Sequence, residues 1–164
     1  MSLRDNLRIS HPSPELIRVL AELAEKIVTA LDEGDECSAL IEQLNEIARR
    51  KDYDREYFKT LHTHSSVDDF ALEAALPQPK RINDISREEL IEIVRLAKET
   101  GFPLSIYYRE LFDLNVPMSG ASGLLDYPEE WTPGQDLDKY DPSPEELVDR
   151  ALKSTNVIDR RSNL

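Results

Sequence analysis

Two imidazoles and two carboxylates fall within eight residues at His62-Thr-His-Ser-Ser-Val-Asp-Asp69, the ligand types a divalent metal takes. The signal is weak. H-x-H alone is common, and Ser66 with Asp69 three positions later makes a capping box for a following helix, which gives the acid a structural use. No metal ligand and no cofactor is expected. A metal-dependent helical enzyme using His62 and His64, with Asp68 and Asp69 nearby, stands as an alternative. Nucleophilic catalysis needs a Ser or Cys beside an oriented base. Here the serines sit mainly at helix starts, and Cys37 falls on an apolar stripe with nothing placed to lower its pKa. The 33 Asp and Glu make accidental carboxylate pairs abundant, and none stands in an apolar setting that would raise one pKa. The five glycines contain neither G-x-x-x-x-G-K nor G-x-G-x-x-G, so no phosphate cradle is present. The chain is read as a non-enzyme with no catalytic residue.

Interaction chemistry has a clearer address. Val116 to Arg150 is the longest run that is not ordinary helix; it holds the only Trp, and from Asp126 to Asp149 it carries nine acidic side chains against one Lys. The whole chain has a net charge of −13, which repels phosphate backbones and argues against nucleic-acid binding. A basic protein is the better-matched partner, because complementary charge steers encounter. No apolar run reaches bilayer length, and the N-terminus has no apolar core of a leader peptide, so no membrane role is expected. A single Cys that cannot pair within the chain points to a reducing cytoplasm.

The elements that must position these residues are helical. Ser13-Pro14-Glu15 opens a helix reaching about Asp32, with Leu16, Leu20, Leu23, Ala24, Ile27 and Leu31 on one face and Gly34 as its stop. A second helix runs from Asp35 with Cys37, Leu40, Ile41, Leu44, Ile47 and Ala48 inward. A third spans Asp52 to His62 around Tyr53, Tyr57, Phe58 and Leu61, and a short one follows Ser66. Pro77-Gln-Pro-Lys80 is the candidate boundary between an N-terminal region, 1–80, and a C-terminal region, 81–164. Ser86-Arg-Glu-Glu89 and Ser143-Pro-Glu-Glu146 are further capping boxes. Between them, Pro103 starts a helix to about Leu114 with Tyr107 and Phe112 inward and Tyr108, Glu110 and Asp113 toward solvent. No segment alternates like a strand, and Met1-Ser2-Leu3 is set aside as a start sequence. The fold class is all-α: an antiparallel bundle of about seven helices with one long acidic loop near the C-terminus.

From about Asp84 to Lys153 the order of motifs resembles the bacteriocin immunity proteins of the colicin and pyocin nuclease type. The matching pieces are I-S-R-E-E-L-I-E-I-V, a helix ending near Leu114, the lead-in S-G-A-S-G, the short piece L-L-D-Y-P, an acidic loop, and D-P-S-P-E-E-L-V-D-R-A-L. Leu124, Leu125, Tyr127 and Pro128 are the most specific matches. The resemblance implies a four-helix region that binds and inhibits a basic bacterial toxin in the producing cell's cytoplasm. It also implies departures, since the family's acid before the Leu is Gly123 here and its paired aromatics are Asp126 and Tyr127. Tyr127 carries over, with Asp126 and Trp131 as replacements for the missing charge and ring. The expected partner-binding residues are Tyr108, Glu110, Asp113, Asp126, Tyr127, Glu129, Glu130 and Trp131. A self-associating helical protein is the third reading.

Overall fold

A computed structural model of the chain describes residues 3–50, 52–128, 130 and 133–153. Among these residues the structure is all-α, with eight α-helices, three 3-10 segments and no strand. The chain divides into two compact units, Ser10–Gln78 and the combination of Met1–Ile9 with Pro79–Leu164. The division falls inside the proline stretch, and the first residues of the chain belong with its C-terminal half.

The unit formed by Ser10–Gln78 is built on α1 (Pro14–Glu33), which packs against α2 (Ser38–Ala48), α3 (Arg55–Lys59) and α5 (Val67–Ala74). Ser13 Oγ accepts from the Leu16 N–H and Pro14 occupies the first turn, so the helix starts where an orphan N–H costs least. Gly34 closes it at φ 75°, in the left-handed region. Leu20, Leu23, Ala24 and Ile27 are buried as the helical spacing requires, and Cys37 is a buried core residue beside them.

Two boundaries differ from the expected ones. Helix α2 begins at Ser38, because the Glu36 carboxylate accepts the N–H groups of Cys37 at 3.1 Å and Ser38 at 2.8 Å and holds Asp35–Cys37 out of the helix. The helix expected over Asp52 to His62 is two short ones. Asp54 caps α3 by accepting from the Tyr57 N–H at 2.8 Å. Thr60 then interrupts, its hydroxyl donating back to the Glu56 and Tyr57 carbonyls, before α4 (Leu61–His64). A threonine hydroxyl bonded to the carbonyls three and four residues back slightly destabilises and bends a helix, and periodicity alone does not reveal it. Around these short pieces four rings meet: Phe70 lies 5.1 Å from Tyr53, 5.5 Å from Phe58 and 5.8 Å from Tyr57, centroid to centroid. Arg50 stands 5.0 Å over the Tyr53 ring.

In the other unit, α6 (Arg87–Glu99) packs against both α7 (Leu104–Leu114) and α8 (Pro144–Leu152). Leu90, Ile93, Val94 and Ala97 of α6 meet a core shared with Leu111, Phe112, Leu147, Val148 and Ala151, all buried. The reciprocal capping box forms at Ser86 and Glu89. At Ser66 and Ser143 the hydroxyl accepts from the third residue's N–H, as a simple N-cap. Ser86→Ala is expected to cost ~1 kcal/mol, read in calorimetry as a midpoint lower by about 2–4 °C.

Leu3 is buried at 2 % exposure, which corrects setting it aside with Met1 and Ser2. Residues 3–9 make one 3-10 turn, Asp5–Leu7, and bury Leu3 and Leu7. Arg4 bonds both carboxylate oxygens of Glu89 and pairs with Asp84 at 3.2 Å; Arg8 lies 3.6 Å from Glu92.

Three carboxyls of this unit sit below their ordinary range. Burial pushes Glu89 up, but the Ser86 N–H and the Arg4 guanidinium outweigh it. Arg95 holds Glu92 down, and Arg87 holds Asp149 down through bonds of 2.7 and 2.9 Å. A depressed folded pKa supplies stability that is present above the unfolded value and lost as pH falls through the folded one. The thermal midpoint is therefore expected to hold down to about pH 5 and fall steadily below about pH 4, where unfolded carboxyls begin to bind protons first. A pH series of melts checks it.

Candidate partner-docking elbow

The acidic stretch is held in place by side chains on both sides of it. At the end of α7, Asn115 accepts the Ile82 N–H at 2.7 Å and donates to the Leu111 carbonyl at 2.8 Å and the Lys80 carbonyl at 3.2 Å. Gly120, at φ 65°, makes a left-handed turn that most side chains would strain, and the 3-10 segment Ala121–Leu125 follows. Ala121 and Leu124 anchor this turn in the core, at 0 % and 6 % exposure.

Three polar ties orient the turn. Both Asp113 oxygens are taken by Ser122, one by its N–H and one by its hydroxyl, each at 2.7 Å. Arg109, one helical turn earlier on α7, forms a two-pronged pair with Asp126 at 2.9 and 3.1 Å. The Tyr140 hydroxyl donates to the Leu124 carbonyl at 2.6 Å. Burial, with Asp126 and Glu146 adding, pushes the Tyr140 phenol up, which keeps it a donor. Further along, Asp136 accepts from the Asp138 N–H to start the 3-10 segment Leu137–Lys139. Lys98 of α6 ties down the far end of the loop through Asp141 at 3.1 Å and the Pro142 carbonyl at 2.9 Å.

The consequence is a fixed turn that directs Tyr127 outward. Its N–H closes onto the Gly123 carbonyl at 2.9 Å, and its side chain is 52 % exposed, the most exposed large apolar residue among those described. Asp126 and Glu130 are exposed beside it in the chain, and Glu110 is exposed on α7. An aromatic ring on a rigid turn with acids next to it can cover apolar surface on a partner while the acids meet basic side chains.

Not every expected site residue faces out. Tyr108 is buried at 2 % exposure, which corrects the expectation that it reaches solvent. The inward stripe of α7 is wide enough to take two adjacent rings, Tyr107 and Tyr108, whose centroids are 5.4 Å apart. The Ile9 N–H donates to the Tyr108 hydroxyl at 3.2 Å, so the start of the chain covers it. Asp113 is half-buried and braces the turn through Ser122. Glu129 and Trp131 lie outside the described residues. Arg109 and Tyr140, which orient the elbow, were not anticipated; an Arg on the helix preceding an acidic turn is the one sequence signal that could have pointed to them.

His62 and His64 are exposed on α4, and the His64 ring meets Tyr57 edge-on at 5.4 Å. Among the described residues, no three His, Cys, Asp or Glu side chains come together as metal ligands. Among the same residues, no helix is long and apolar enough to cross a membrane. No protein-family model, curated protein or solved structure matches this chain.

Proposed function

We propose that this chain is an immunity-like, non-enzymatic protein of the cytoplasm that binds a basic bacterial toxin one to one and blocks it. The observation that carries the reading is Tyr127, half-exposed at the tip of a turn braced by the Asp113–Ser122 and Arg109–Asp126 contacts. A ring held in place before binding loses little freedom on docking, which favours affinity. Asp126 and Glu130 flank the ring in the chain, and Glu110 is exposed on α7. The C-terminal unit also has the order of elements that the resemblance to colicin- and pyocin-type immunity proteins calls for: α6, α7, a short turn, α8. Partner choice rests on the acids, and the central affinity on the ring.

The test is co-purification of the tagged full chain from the cells that produce it. A basic protein recovered in equimolar amount, toxic alone, harmless in the complex and lost on Tyr127→Ala is the expected result. Recovery of the chain alone, or of a partner whose retention ignores Tyr127→Ala, contradicts the reading.

A further inference from the structure

The Ser10–Gln78 unit takes no part in the elbow, and it has a feature of its own at Asn45. Asn45 Nδ2 donates to the Tyr53 carbonyl at 2.8 Å, which fixes the amide and determines which atom is left over. That atom is Oδ1. It is buried, and it is the only buried side-chain nitrogen or oxygen among the described residues with no hydrogen-bond partner. Native folds keep few such atoms, because a buried acceptor without a donor is costly.

Asn45 lines a groove of about 650 Å³ flanked by α2, the connection after it and the start of α3, a size within the ~300–1,000 Å³ of small-ligand clefts. The residue as a whole is half-buried, so the unpaired oxygen belongs to the groove wall and not to the deep core. Ile41, at 9 % exposure, adds an apolar patch. The charges around it divide by element: Glu42 and Glu46, one turn apart on α2, bring two carboxylates, while Arg50 from the connection and Arg55 at the start of α3 bring two guanidiniums. Arg50 is already oriented, by Asp52 through long bonds of 3.3 and 3.4 Å and by the Tyr53 ring 5.0 Å away. A guanidinium held in place loses little freedom on meeting a carboxylate. The two acids disfavour a simple anion and the two arginines a simple cation. A zwitterion answers both.

We propose that this groove binds a small amino-acid-type zwitterion with an apolar side chain, free or as a dipeptide. Its carboxylate lies against Arg50 and Arg55, its ammonium donates to Asn45 Oδ1 with Glu42 and Glu46 alongside, and its side chain covers Ile41. The acceptor that the fold itself does not pair is paired by the ligand. The assignment is independent of the Tyr127 reading, since all of its residues lie in the other unit.

The test is a thermal-shift screen of the full chain against the common L-amino acids and the dipeptides of leucine and of phenylalanine, with inorganic phosphate as the simple-anion control. At least one apolar amino acid or dipeptide is expected to raise the midpoint by about 4 °C or more at a concentration ~100-fold above its Kd, and to bind saturably in titration calorimetry. Capping either end of that ligand, by N-acetylation or by C-terminal amidation, is expected to weaken binding at least ~10-fold, and so is Arg55→Ala, a change at an exposed residue. Asn45→Ala is expected to bind the free and the N-acetylated ligand alike. Should that variant lose its helical circular dichroism, Glu46→Gln takes its place, with a narrowed preference for the free ligand expected. No saturable binder in the screen, a phosphate shift as large as the ligand's, or binding that ignores Arg55→Ala or N-acetylation overturns the proposal.

Discussion

Phe70→Ala is expected to destabilise the chain by about 3–5 kcal/mol, the range for truncating a fully buried phenylalanine. Phe70 is 1 % exposed and touches three other rings, with Tyr53 and Phe58 meeting it edge-on. Two costs combine in the substitution, the lost transfer energy of the ring and the cavity it leaves. Helices α3 and α4 are five and four residues long, too short to be stable without tertiary support, so they have no helical stability of their own with which to resist the loss. Phe70→Leu refills much of the volume and is expected to cost less than half as much. Urea unfolding followed by circular dichroism measures both. A loss below about 1 kcal/mol for the alanine variant would mean the ring cluster does not hold these segments.

Tyr127→Ala is expected to weaken the complex with the basic partner by ~2 kcal/mol or more, about 30-fold in Kd, the effect of removing an aromatic at an interface centre. The same variant is expected to melt like the parent, because a side chain 52 % exposed contributes little to the core. The split between affinity and stability is what marks a docking residue. Titration calorimetry with the co-purified partner reads the first, and a thermal melt the second. Tyr127→Phe, which keeps the ring, is expected to retain most of the affinity.

Local chemistry was legible in the sequence and long-range chemistry was not. Ser13-Pro14, Ser86 with Glu89, and Ser143-Pro144 marked three helix starts, and Gly34 marked a stop, because capping depends on residues within one turn. The apolar stripes of α1 and α6 followed helical spacing for the same reason. The helix that periodicity joined is interrupted at Thr60, whose hydroxyl bonds the backbone in a way apolar spacing cannot register. Leu3 and Leu7 were invisible as core, because the segment that carries them is tied down through Arg4 to Glu89 and Ile9 to Tyr108, 85 and 99 residues away, and no short pattern announces such a pairing. The misplacement of Tyr108 followed directly, as the group that covers it is Ile9. At the elbow, Tyr127 was singled out by the resemblance and by no local pattern; the brace from Asp113 to Ser122 was not expected, since it needs the turn at Gly120 to bring the two together.

The central claim is that Tyr127 is the point of contact with a basic partner, and site-specific photo-crosslinking tests it most directly. A benzoyl-phenylalanine placed at position 127 of the full chain, irradiated in the cells that produce it, is expected to yield one dominant adduct with a basic protein. The same probe at position 102, where Phe102 is 46 % exposed outside the elbow, is expected to yield none. No adduct at position 127, or the same adduct from both positions, would contradict the account.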